Sequence, residues 1–175
     1  LVGSVIGSNI SSRSKRRRPN NFDQQVAFFA ALFACLAKIA KADGRVDEAE
    51  IKKIEEIISS KLNLNKEHRH FAINIFQKAK DDDVSFEAYA TNLYQILSSS
   101  PNSLLVFYEM LFELALADGV LHPDEDDLLK QIPRIFRFDE NVYESLYEKF
   151  VDKTNDYFKT LGVNENAPFN EIKKA

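Results

Sequence analysis

At 175 residues, with an apolar fraction of 45% and fourteen phenylalanines, the chain is large and apolar enough to bury a core, which excludes global disorder. Its net charge of −4 is unevenly spread: five of its 23 basic residues fall in the first 18, which hold no acid, leaving 18 basic against 27 acidic side chains (−9) over the rest. An acidic body of this kind excludes general nucleic-acid binding, because phosphates need a basic face.

The chain opens Leu-Val-Gly-Ser-Val-Ile-Gly-Ser-Asn-Ile and then becomes basic at Arg13, Lys15, Arg16, Arg17 and Arg18. Ten mildly apolar residues cannot cross a bilayer, which needs about 20. They fit the last turns of a crossing helix that begins upstream of Leu1. Gly3 and Gly7 have the spacing that lets helices approach closely in lipid, and a basic cluster after an apolar helix is retained on the cytoplasmic side. The other reading is a disordered tail with a localisation-like or nucleic-acid-binding basic run.

The body reads as helices in chain order. Val26, Phe29, Phe33, Leu36 and Ile39 recur at three- and four-residue steps, predicting a helix over 23–42 that Asp43-Gly44 ends. Asp47 and Glu50 have capping-box spacing and open a second helix carrying Ile51, Ile54, Ile57 and Ile58. Asn65 caps a third through Phe71, Ile75 and Phe76, which the run Asp81–Asp83 breaks as a solvated loop. A fourth, over 85–97, aligns Tyr89, Leu93 and Leu97, and Ser98-Ser99-Ser100-Pro101 is a loop. Leu104, Phe107, Leu111 and Leu114 carry a fifth, ended at Asp118-Gly119. Leu128, Leu129 and Ile132 lie on a sixth, and Asp139 caps a seventh with Val142, Leu146 and Phe150. The single cysteine, Cys35, sits in an apolar run, cannot close an internal disulfide and suits a reducing compartment.

The chain repeats itself. Ala42-Asp43-Gly44-x-Val46-x-x-x-Glu50 matches Ala117-Asp118-Gly119-x-Leu121-x-x-x-Glu125 at an offset of 75, and Leu62-x-Leu64-Asn65 matches Phe136-x-Phe138-Asp139 at 74. The expectation is an all-α, seven-helix bundle: two pseudo-symmetric three-helix units, an inserted fourth helix and a short helical C-terminal piece. Each apolar stripe is wide enough to need the other copy as its cover.

Asp43, Glu50, Asp118 and Glu125 are the candidate site. Converging carboxylates favour a hard cation such as calcium or magnesium. The alternative is local capping: Asp-Gly stops a helix, Glu50 completes a capping box, and His122-Pro123 starts the next helix with Glu125 three residues beyond the cap. An EF-hand is excluded, because its first and third positions would be Ile39 and Lys41, or Leu114 and Leu116. His68, His70 and His122 lack zinc-ligand spacing, and no nucleophile elbow, phosphate loop or dinucleotide fingerprint occurs. A non-catalytic protein is expected.

The doubled Ala-Asp-Gly motif resembles the TerB-like (tellurite-resistance) domain. Asp156-Tyr157-Phe158-Lys159-Thr160-Leu161-Gly162-Val163 and Pro168-Phe169-Asn170-Glu171-Ile172-Lys173-Lys174-Ala175 resemble the first helix of a J-domain and the start of its second. This order is similar to that of the DjlA-type co-chaperones, as are Leu121-His122-Pro123-Asp124 and Gly44-Arg45-Val46. The resemblance implies an anchor and basic segment over 1–18, a TerB-like domain over 22–152 and a J-domain that begins at 153 and is truncated. It implies a DnaK-type chaperone as partner through that J-domain, a further unknown protein partner of the helical domain, a possible homodimer, no nucleic acid, and a place at the cytoplasmic face of the inner membrane. His122-Pro123-Asp124 spells the tripeptide by which J-domains stimulate that ATPase, but it lies upstream of the first J helix and is expected to be a helix start. An interaction module and a divalent-cation sensor remain as alternative functions.

Overall fold

The computed structural model describes residues 21–152, except Arg45 and Glu140. Among them there are helices and no strand, as the periodicity predicted. They are α1 (Asn21–Ala40), α2 (Glu48–Glu56), α3 (Lys66–Ala79), α4 (Phe86–Leu97), α5 (Pro101–Ala115), α6 (Pro123–Leu129), α7 (Ile132–Phe136) and α8 (Asn141–Tyr147). No helix of the described residues is long and apolar enough to cross a membrane. The N-terminal basic run and the J-domain-like carboxyl end lie outside the described residues.

Local chemistry sets most boundaries. Asp47 Oδ1 accepts from Glu50 N at 2.8 Å while Glu50 Oε2 accepts from Asp47 N at 2.8 Å, so the predicted capping box is complete. Asn65 Oδ1 caps α3 through His68 N at 2.8 Å, and Ser85 Oγ caps α4 through Ala88 N at 3.2 Å. Pro101, expected in a loop, is the first residue of α5, where its missing N–H has no intrahelical partner to lose. Asp82 is more than a solvated loop residue. Lys38 Nζ reaches its carbonyl at 2.7 Å and its carboxylate at 2.9 Å, Tyr89 donates to the same carboxylate, and the loop is thereby tied to α1.

α1 occupies the centre. From Ala31 to Ala40 every residue except Lys38 is buried, and the helix packs against α3, α4, α5 and α6. α5 buries Leu104, Phe107, Tyr108, Met110, Leu111, Phe112, Leu114 and Ala115 and touches α2, α4, α6 and α8. The exchange is reciprocal: α1 of the first repeat meets α6 of the second, and α5 of the second meets α2 of the first.

The two corners share their backbone turn. Gly44 and Gly119 have φ of 99° and 93°, a region that glycine enters without the steric cost of a Cβ. Gly44 N donates to Lys41 O at 2.9 Å and Gly119 N to Leu116 O at 3.1 Å. Further on, Asn63 (φ 45°) and Arg137 (φ 57°) end the second helical stretch of each copy in the left-handed region, at the predicted offset of 74. The first copy therefore has one residue more between corner and stop. A π-helical turn over Ile57–Lys61, closed by Leu62 N to Ile57 O at 2.9 Å, absorbs it, since a π turn takes up a single extra residue without ending the helix.

The predicted sixth helix is divided into α6 and α7, and Pro133 is the cause. It has no N–H to donate to Leu129 O, so the ladder breaks there. Tyr108, fully buried on α5, supplies the missing donor: its hydroxyl reaches Leu129 O at 2.8 Å. Tyr108→Phe leaves that carbonyl unsatisfied and is expected to destabilise the protein by about 1–3 kcal/mol in urea unfolding; an unchanged midpoint would refute this account of the break.

Candidate functional site

Each corner delivers two carboxylates, one at the stop of a core helix and one at the third position of the next. Glu50 and Glu125 are drawn inside, 8% and 3% exposed, on α2 and α6, which pack against the opposite repeat's core helix. The capping bonds fix them: Glu50 accepts from Asp47 N, and Glu125 Oε2 accepts from His122 N at 3.1 Å. Asp118 Oδ1 accepts from Val120 N at 2.9 Å, and its Oδ2 lies 3.3 Å from His122 Nε2.

The four predicted residues form one electrostatic neighbourhood. Burial pushes Glu50 up from an ordinary 4.5 to about 7; the bond from Asp47 N opposes this, and the charges of Asp47, Asp43 and Asp118 add to it. Burial likewise pushes Glu125 up to about 8, against the bond from His122 N and with the charges of Glu50, Asp118 and Asp43. Glu50 and Glu125 thus each feel the charges of Asp43 and Asp118. Of the two alternatives, the capping bonds of Glu50 and Glu125 are present. Among the described residues no group of three or more His, Cys, Asp or Glu side chains is arranged to hold a metal ion. Arg13, Lys15, Arg16, Arg17 and Arg18 lie outside the described residues.

Other titratable groups are placed differently. Cys35 is free and wholly buried, and burial pushes its thiol up, away from thiolate chemistry. His68 packs its ring 5.7 Å from Phe29, whereas His70 is exposed, so the two do not meet. A groove of about 660 Å³ between α1, α3 and α4 has a floor of Ala27, Ala30, Ala31 and Ala34. Residues that sequence reasoning missed are Lys130, Arg134 and Arg137, which line a second cavity. Their spacing of four and three residues is the signal in the sequence that could have found them.

Comparison with known proteins falls on this framework. The family described as Tellurite resistance protein TerB matches residues 29–148, which contain both corners and all four carboxylates. Proteins named Co-chaperone protein DjlA align over more of the chain. That of Photobacterium profundum is 31% identical over 182 aligned residues, covering 90% of this chain and 65% of the relative. That of Coxiella burnetii is 30% identical, covering 94% and 67%. In the Vibrio parahaemolyticus protein the match is 30% identical over 72% of this chain and 44% of the relative. This chain thus spans about two thirds of the length of the first two relatives. No solved structure matches it. The chain belongs to the TerB family and, within it, to the DjlA co-chaperone group.

The raised carboxyls set a pH dependence. Glu50 and Glu125 hold protons more tightly folded than unfolded, so between pH 4.5 and about 8 the folded state binds more protons, and stability falls as pH rises through that window. The lowered carboxyls of Asp82 and Glu56 lose their contribution only at lower pH. Melting is therefore expected a few degrees higher near pH 5.5 than near pH 8, roughly 2–4 °C per kcal/mol for a chain of this size. Glu125→Gln should flatten the profile, and equal slopes in parent and variant would contradict the assignment.

Proposed function

We propose that this chain is the interaction and regulatory module of a membrane-tethered, DnaJ-like co-chaperone, non-catalytic itself, which couples a client or signal to a DnaK-type chaperone. The observation that carries this reading is the alignment with co-chaperones named DjlA over 90% and 94% of the chain. In this reading residues 1–18 hold the end of a membrane anchor and a basic segment at the cytoplasmic face, 22–152 form the TerB-like body, and the J-domain that contacts the chaperone begins at 153. The alanine-floored groove between α1, α3 and α4 is where a helix of the unknown protein partner, or of a second copy, would lie, because small residues allow close approach. His122-Pro123-Asp124 starts α6, with His122 as its N-cap, and does not act as the chaperone-stimulating tripeptide. Residues 1–175 added to a DnaK-type chaperone are accordingly expected to leave its ATPase rate unchanged, whereas a chain carrying a complete J-domain should raise it. A large increase from residues 1–175 that His122→Ala abolishes would sink this reading of the tripeptide, and failure of the longer chain would sink the co-chaperone function.

One observation favours a second reading, a divalent-cation sensor: burial holds Glu50 and Glu125 up, the charges of Asp43 and Asp118 add to it, and a calcium or magnesium ion between the corners would relieve that added repulsion. No three carboxylates form a cage among the described residues, so the corners would have to close on the ion. Calorimetric titration with calcium, magnesium and zinc is expected to give heat that Asp43→Asn with Asp118→Asn removes. No binding up to millimolar concentration would end the sensor reading and leave the co-chaperone reading standing.

A further inference from the structure

We propose that the cavity beside α7, lined by Lys130, Pro133, Arg134, Arg137, Phe138 and Tyr143, binds a phosphate-bearing ligand. The cavity measures about 470 Å³, and all three of its charged lining residues are cations. That is the reverse of the body around it, where 27 acids outnumber 18 bases. The break at Pro133 contributes to the cluster, because it separates α6 from α7, which ends at Arg137 in the left-handed region just before Phe138.

The three cations differ in how they are held. Lys130 pairs with Asp126 at 2.6 Å and lies 5.8 Å from the Tyr143 ring. Arg134 pairs with Glu87 at 2.7 Å, both side chains being more than half exposed. A pair so exposed is weak, so Arg134 can exchange its carboxylate for a better anion, whereas Asp126 also accepts from the Tyr143 hydroxyl and neighbours Lys130 at the cavity wall. Arg137 has no carboxylate partner among the described residues; its guanidinium sits 5.3 Å above the Tyr94 ring. It also stands at φ 57°, where Asn63 stands in the first repeat and where glycine is the usual occupant. A long cationic side chain at a strained helix stop, lining a cavity with two more cations, is placed for an anion rather than for the cap.

Guanidinium groups match phosphate oxygens two at a time, which favours phosphate over a simple halide. Pro133, Phe138 and Tyr143 form an apolar wall against which the carbon body of an ester can lie. The chemistry is therefore a phosphate ester, and its source is either a soluble compound or the headgroup of an anionic phospholipid. This inference stands on the cavity alone and is independent of the co-chaperone reading.

The test titrates residues 1–175 with inorganic phosphate and glycerol 3-phosphate by calorimetry, and separately cosediments them with phosphatidylglycerol and phosphatidylcholine vesicles. Two variants accompany the parent. Arg134→Gln removes one cation. Arg137→Gly removes another while supplying the residue that the left-handed backbone prefers, so it should melt no lower than the parent. The expected result is phosphate or ester binding that weakens with salt and falls by roughly tenfold or more in each variant. Sedimentation with phosphatidylglycerol but not phosphatidylcholine, reduced in both variants, assigns the headgroup; binding of the soluble ester without it assigns a soluble ligand. Absence of any phosphate or phosphatidylglycerol binding up to millimolar concentration overturns the proposal. So does undiminished binding in a folded Arg137→Gly, as does a stronger preference for a glutamate-rich peptide.

Discussion

The rest of the structure depends on the burial of α1. Nine of the ten residues from Ala31 to Ala40 are removed from water, so this helix must be covered on every side. No single neighbour can do that. α3 and α4 cover it from the first half of the chain, and α5 and α6 from the second, which makes the duplication a requirement of packing rather than a surplus. A helix so enclosed still has to leave the core at its end, and Gly44 turns it out within one residue because only a residue without a Cβ adopts φ 99° freely.

The candidate site follows from that exit. The next helix starts a few residues after each corner and packs against the opposite core helix, and the glutamate that completes the N-terminal cap is buried. A carboxylate in that position satisfies a backbone N–H but loses water, and the second copy brings its own acids to the same place. The result is a pair of carboxyls that titrate near neutrality because of where the fold ends its central helices. Structural capping and electrostatic responsiveness are here one arrangement: the residues that start α2 and α6 are those that feel each other's charge.

The corners also show how a repeat tolerates divergence. The first copy holds one residue more and absorbs it in a π turn; the second replaces a continuous helix by two short ones at Pro133, with Tyr108 from α5 satisfying the freed carbonyl. In the second copy the left-handed stop that Asn63 occupies in the first falls to Arg137, and Lys130 and Arg134 join it around a cavity. A basic pocket in an acidic body is thus a by-product of breaking the helix, and it is the place where the two copies differ most in chemistry.

The sequence by itself determined the helices, the two Asp-Gly corners, the capping residues and the correspondence at offsets of 75 and 74, because each rests on contacts within about four residues along the chain. Asp47 with Glu50, and Asn65, could be named in advance for that reason. Only the tertiary structure decided that the predicted sixth helix divides, that Asp82 anchors its loop to Lys38, and that Glu125 is buried where it feels the charge of Glu50. Those outcomes join residues that are 44, 75 or, for Tyr108 and Leu129, 21 positions apart. Distances of that kind are set by how helices pack against one another, a matter of three-dimensional complementarity that no local periodicity encodes.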